Sequence, residues 1–247
     1  MSRNGSLRLA FLGAPKAVRE LDATPIADRK LALLLFALAV RGRNERARLA
    51  GWLWPDVEPE RRLASLRLRV HKARQLDPRL LLVEGAELEL SPEVGHDLQF
   101  LRQRRQMPLD TALALADTPL LRGIDLSGLQ QFEILVQGIR ELMASHAIHA
   151  IHQEVKACRS TGRIAEGIRL LQRILVLAPL NEAACRHLMG FYMLNHDRAS
   201  ALRVFERLRS GMRRLLGAEP SSRTRQLHAS ILLDEQVSWQ DERTTVI

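Results

Sequence analysis

Between Pro59 and Leu76 the chain carries Arg61, Arg62, Arg67, Arg69, Lys72 and Arg74 against the single acid Glu60, its densest cationic stretch. Guanidinium groups at this density suit one chemistry above others: they hold phosphates, and an arginine can donate two parallel bonds to O6 and N7 of guanine. The spacing predicts a helix, because Pro59 suits a first turn, Leu63, Leu66, Val70 and Ala73 recur as a core stripe, and Asp77-Pro78 ends the pattern. Burying that stripe points Arg61, Ser65, Leu68, His71, Lys72 and Gln75 outward, with Arg67 and Arg74 on one flank and Arg62 and Arg69 on the other. The DNA-contacting residues expected are Arg61, Ser65, Arg67, Leu68, Arg69, His71 and Lys72, with Arg67 or Arg69 reading a base and the others holding phosphates. Taken alone, such a helix reads more readily as a solvated charged face, so the neighbouring elements decide.

Those neighbours have a definite order. Leu7 to Gly13 and Ala17 to Leu21 read as two short extended runs forming a hairpin around Gly13-Ala14-Pro15. Asp28 can cap a helix reaching Val40, with Leu31, Leu34, Leu35 and Leu38 on its apolar face. Asn44 offers a second cap, for a short helix with Ala47, Leu49, Ala50 and Leu53 that stops before Trp54-Pro55. After the cationic helix, Leu80 to Val83 and Ala86 to Leu90 form a second hairpin across Glu84-Gly85.

Beyond Asp97 the pattern is helical, broken at Pro108, Pro119 to Gly128, Ser160 to Gly162 and Pro179. Gly167, Leu171 and Ile174 are matched 34 residues on by Ala201, Phe205 and Leu208, the tetratricopeptide period. Gly162 and Pro179 fall at that repeat's turn glycine and terminal proline, and Tyr192 at its aromatic position. The repeat also places Cys158 and Cys185 against the inter-helix core, as small hydrophobes rather than redox sensors.

Composition narrows the functional classes. Lys and Arg number 37 against 28 acids, a formal charge of +9, which favours polyanionic partners. Residues 1–100 hold 17 basic and 13 acidic side chains, so bulk charge does not locate the contact surface. Two cysteines without a C-x-x-C spacing, and no apolar run long enough for a signal peptide or membrane span, lead us to expect a cytoplasmic protein. His146, His149 and His152, with Glu154 nearby, spread too widely around a helix to share a metal. Trp52, Trp54 and Phe36 fit packing better than a ligand cage, and the basic cluster Arg203, Arg207, Arg209, Arg213 and Arg214 reads as a solvated face. With no phosphate-cradling loop, nucleophile motif or paired carboxylates, we expect neither an enzyme nor a cofactor.

Several fragments then resemble one family. Leu53-Trp54-Pro55-Asp56, Ser65-Leu66-Arg67 and Val70-His71-Lys72-Ala73-Arg74-Gln75-Leu76 are similar to the OmpR-like winged helix of the Streptomyces antibiotic regulatory proteins. Asp97 with Phe100, Leu121-Arg122-Gly123, Ala178-Pro179-Leu180-Asn181-Glu182, His187-Leu188-Met189, Ala201-Leu202 and Leu216-Gly217-Ala218-Glu219-Pro220 resemble that family's bacterial transcriptional activator domain. This chain departs from the family at His71, Lys72 and Ala73, where Ser, Arg and Leu are usual, and at Glu84-Gly85, where the wing tip is often more basic.

The resemblance implies a mainly α protein, with a winged helix-turn-helix of mixed α and β structure followed by an all-α, tetratricopeptide-like domain. The expected boundaries are 1–95, 96–236 and a C-terminal tail, 237–247. It further implies a sequence-specific transcription activator whose partners are double-stranded DNA, RNA polymerase and a second copy in a homodimer, with no membrane. The alternative is a tetratricopeptide-type adaptor whose winged helix no longer binds DNA.

Overall fold

The computed structural model describes residues 6–102 and 107–233, so the expected tail, 237–247, lies outside the described residues. The chain divides into two compact units, Met1–Gln106 with Leu113–Met143, and Met107–Ala112 with Ala144–Ile247.

The first unit contains β1 (Arg8–Ala10), β2 (Lys16–Arg19), β3 (Asp22–Pro25), α1 (Arg29–Arg41), β4 (Asn44–Glu45), α2 (Arg46–Leu53), α3 (Pro59–Leu76), β5 (Leu81–Glu84), β6 (Glu87–Leu90) and β7 (Gly95–His96). One sheet has the order β3-β2-β1-β7, antiparallel except for the parallel β1–β7 pair, and a second has the order β4-β6-β5. Helix α1 is the centre of this winged helix-turn-helix. Its residues Leu31 to Ala39 are all buried, so it is apolar on every side, as a helix enclosed by other elements must be. Phe36 meets Phe11 edge-on, with ring centroids 5.6 Å apart.

Local chemistry differs from expectation at three points. Strand β3 extends the N-terminal hairpin into a three-stranded meander; its residues are all exposed, which removes the alternation that signals a strand. Asn44 does not cap α2, because it pairs with Leu88 in the β4–β6 ladder, and its Nδ2 donates to Gly42 O at 3.0 Å. The wing turn is Gly85-Ala86, one residue later than expected: Glu84 pairs with Glu87, and Gly85 takes φ +57°, which glycine adopts without a steric penalty.

The segment before α5 (Gln130–Ser160), which follows α4 (Leu109–Asp117), closes the first unit. Pro119 O accepts from Gly13 N at 2.6 Å, Leu121 N donates to Phe11 O at 2.9 Å, and Arg122 N donates to Gly13 O at 2.8 Å. Asp97 holds the same stretch from the other side, its carboxylate accepting the Phe11 and Leu12 amides at 2.8–3.0 Å. Phe132 is fully buried and meets Trp52 edge-on at 6.2 Å.

The second unit is helical: the end of α5, then α6 (Ile164–Leu177), α7 (Glu182–Leu194), α8 (Arg198–Leu216) and α9 (Ser222–Leu232). Gly167, Leu171 and Ile174 of α6 are buried, and so are their 34-residue counterparts Ala201, Phe205 and Leu208 of α8. The turns match as well. Gly162 has φ +72°, and His196, 34 residues later, takes φ +56°. Cys158 and Cys185 are buried free thiols, and burial pushes the Cys185 thiol up to about 12.

Two expected outcomes follow for this unit. A Cβ at Gly167 would lie 2.1 Å from Phe191 Cε1, so Gly167→Ala overpacks the α6–α7 contact and should cost about 1–3 kcal/mol in chemical denaturation. His196 adopts a backbone conformation that glycine reaches freely, so His196→Gly should be neutral or stabilise by up to about 1 kcal/mol in the same assay.

Candidate nucleic-acid interface

Helix α3 is held at three places along its length. At its start, Arg62 Nη2 donates to Pro55 O at 2.7 Å and Arg62 Nε to Val57 O, tying the helix to the turn after Trp54. At its end, Arg19 of β2 donates to Leu76 O and to Asp77 Oδ2, each at 2.8 Å, placing a cation where the helix leaves carbonyls unsatisfied. In its middle, Asp28 does the holding. As the α1 N-cap, Asp28 accepts from Leu31 N at 3.0 Å through Oδ1. Its Oδ2 meets Lys72 Nζ at 2.7 Å and Arg69 Nε at 3.5 Å.

This anchoring decides which face is free. Leu66, Val70 and Ala73 are buried, as expected from the stripe. Arg61, Arg67, Leu68 and His71 are exposed, whereas Ser65, Arg69 and Lys72 are half-buried. The open face, with Ala64, Arg74 and Gln75 also exposed, is turned toward Arg67 and Arg74 and away from Ser65 and Lys72. Attraction to Asp28 accounts for the turn. Arg69 is drawn in further by Trp54, whose ring lies 5.6 Å from the guanidinium carbon. Lys30 shares that ring at 5.8 Å and donates to Leu53 O; burial, with Arg29 and Arg69 close by, holds its ammonium below the usual lysine range. Sequence reasoning did not place Arg74 and Ala64 on the outward face, where both are exposed. The signal that could have placed them was Asp28, an acid read only as a cap.

Of the six cations on α3, Arg62, Arg69 and Lys72 are committed to partners inside the unit. Arg61, Arg67 and Arg74 have no hydrogen-bond or ion-pair partner among the described residues. On the same face His71 Nε2 and Gln75 Nε2 are 3.1 Å apart, one helical turn separating the residues. At the wing, Glu84 and Glu87 stand directly opposite each other and Arg43 bridges them at 2.9 and 2.5 Å. The Glu87 hydrogen bond and charge, with help from Glu84, raise the Arg43 pKa.

Other clusters are internally occupied. Glu154, Cys158 and Glu166 offer ligand atoms within 4.8 Å of one another, yet Arg163 binds both carboxylates, at 2.7 and 2.9 Å. His152 meets the His187 ring at 5.8 Å, while His149 is exposed. In the α8 basic cluster Arg203 donates to Ser200 Oγ at 2.6 Å, Arg209 pairs with Glu206 at 2.9 Å, and Arg213 pairs with Glu219. Arg207 and Arg214 are exposed.

The Asp28 contact has a measurable pH signature. Burial raises its pKa, but the Lys72 hydrogen bond, the Leu31 amide and the Arg69 charge together outweigh it and hold the carboxyl below 3.8. A depressed acid contributes stability that is complete above its unfolded pKa and is lost as the pH falls through the folded value. Asp28→Asn keeps a capping oxygen and removes the charge. It should therefore cost about 1 kcal/mol at neutral pH, and the gap to the unsubstituted protein should close below about pH 4 in urea titrations.

Comparisons with known proteins agree with this architecture. Residues 98–232 match the family model for the bacterial transcriptional activator domain. The transcriptional regulatory protein MoaR1 of Mycobacterium bovis (strain BCG / Pasteur 1173P2) is 27% identical over 157 residues, covering 62% of this chain and 50% of the relative. MoaR1 of Mycobacterium tuberculosis (strain ATCC 25618 / H37Rv) aligns at the same identity and coverage. The chain thus spans about half the length of these curated relatives. The structure of Mycobacterium tuberculosis EmbR in complex with a low-affinity phosphopeptide superposes with a TM-score of 0.72 at 22% identity, over 95% of this chain and 67% of that one, and so shares its fold. Among the described residues no helix is long and apolar enough to cross a membrane. The chain belongs to the bacterial transcriptional activator domain family, a family of transcriptional regulators of the Streptomyces antibiotic regulatory protein type.

Proposed function

We propose that the chain is a sequence-specific transcription activator of the bacterial cytoplasm, which binds double-stranded DNA through α3 and recruits RNA polymerase through its helical repeat unit, with a second copy as a further partner. The observation that carries this reading is the face of α3. Three arginines without a partner among the described residues lie on the exposed side of a helix fixed at its start, middle and end, and a major groove admits one helix. Arg61, Arg67 and Arg74 are assigned to phosphates. Arg69 and Lys72 stand behind them, orienting the helix, with Ser65 beside them. Leu68 and His71 face the bases. The family supports the regulatory role, and the net charge of +9 supports a polyanionic partner.

A second reading, the adaptor without DNA binding, is favoured by one feature, the acidic pair Glu84 and Glu87 at the wing tip. Gel shifts against a pool of promoter fragments separate the two. Arg67→Glu with Arg74→Glu should weaken binding at least about 100-fold while leaving the helical circular-dichroism spectrum unchanged, because neither side chain anchors α3. Each single alanine variant at Arg61, Arg67 or Arg74 should lower the log–log salt slope by about one. Unaltered shifting by the double variant, or a complex insensitive to salt, would overturn the DNA-binding reading.

A further inference from the structure

We infer that Leu68 is a specificity-determining residue, reading the C5-methyl groups of thymines in the major groove. The inference rests on the proposed docking of α3 in DNA and deepens it by naming the base chemistry that the helix selects.

The argument begins with what the centre of the exposed face lacks. Ala64, Leu68, His71 and Gln75 follow one another at three- and four-residue steps, forming a single stripe along α3. None of the four is a fixed cation. The unpaired arginines Arg67 and Arg74 lie along one edge of this stripe, and Lys72, bound to Asp28, lies along the other. A helix in a groove presents its edges to the two phosphate backbones and its centre to the base edges. The cations are therefore placed for phosphates and the neutral stripe for bases.

Leu68 is 49% exposed, while Leu66 on the same helix is wholly covered. Isolated exposed leucines are common on protein surfaces. This one sits mid-helix, the one large apolar side chain on a face of α3 whose other members are Ala64 and polar or cationic residues. The apolar feature that a major groove offers is the thymine methyl, and contact with it removes apolar surface on both partners from water. Of the two arginines expected to read a base, Arg69 has its guanidinium over Trp54 and Asp28 beside its Nε, and Arg67 lies at the edge of the stripe, so readout at the centre of the face falls to the stripe. One turn beyond His71, hydrogen-bonded to it, Gln75 carries the amide that pairs with adenine N6 and N7, consistent with an A·T step under this part of the helix.

The test uses the full chain. Duplexes are selected from a random pool by binding, and each thymine of the enriched site is then replaced singly by deoxyuridine, which deletes only the methyl group. Affinity is read by fluorescence anisotropy. The expected result is one or two adjacent positions where deoxyuridine weakens binding about fourfold, the effect of one buried methyl. Leu68→Ala should lose a similar factor on the thymine site and be indifferent to deoxyuridine at those positions. If every replacement is neutral for the unsubstituted protein, or if Leu68→Ala keeps the full methyl effect, the inference fails while sequence-specific binding stands. If no sequence is enriched, the proposed function fails with it. The methyl scan on the unsubstituted protein requires no variant to fold.

Discussion

One carboxylate, that of Asp28, sets the geometry of the first unit. Its two oxygens divide two tasks: one satisfies an orphan amide at the start of α1, and the other receives the ammonium of Lys72 and faces the guanidinium of Arg69. Capping alone contributes about 1 kcal/mol to a helix. Here the same group also fixes the rotation of α3 against the most deeply buried helix of the unit, so a local rule of helix initiation becomes a tertiary constraint. A neutral cap would satisfy α1 equally well and leave the partly buried cations of α3 without a counter-charge, which a low-dielectric setting penalises.

The cations of α3 consequently form two populations. Arg62 and Lys72 donate inward, to backbone carbonyls and Asp28, and Arg69 lies against Asp28 and the Trp54 ring, while Arg61, Arg67 and Arg74 have no partner among the described residues. In the proposed docking, anchoring of this kind would lower the ordering cost of association, because the helix is fixed in advance and only side-chain rotations remain. Charge density in the sequence overstates the number of groups free to meet a phosphate, because half of the cations are committed inside the unit.

Much of this architecture is legible in the sequence. The order of hairpin, three helices and hairpin follows from periodicity, capping and turn residues, and the 34-residue offset anticipates the matched buried positions in α6 and α8. What escapes is tertiary. Strand β3 has no buried face and so no alternation to detect, and Asn44 is claimed by a ladder partner 44 residues away before it can cap α2. On α3 the expected outward residues Arg61, Leu68, His71 and Gln75 are exposed, but Ser65 and Lys72 are half-buried for a similar reason. The buried stripe of Leu66, Val70 and Ala73 fixes the inward direction, but nothing local reveals that Asp28 and Trp54 pull one flank of the helix inward with it.

The hydrogen bonds joining Phe11 and Gly13 to residues 119–122 bear on what can be cut from this protein. The family match starts at residue 98, yet the backbone that pairs with Phe11–Gly13, just after β1, and the phenyl ring that meets Trp52 come from within it. A fragment severed at that boundary would lose the partners of Gly13 N, Gly13 O and Phe11 O and would further uncover the indole of Trp52. Leu113–Met143 belongs to the same compact unit as α1, so an excision at residue 98 would be expected to aggregate for reasons unrelated to any ligand.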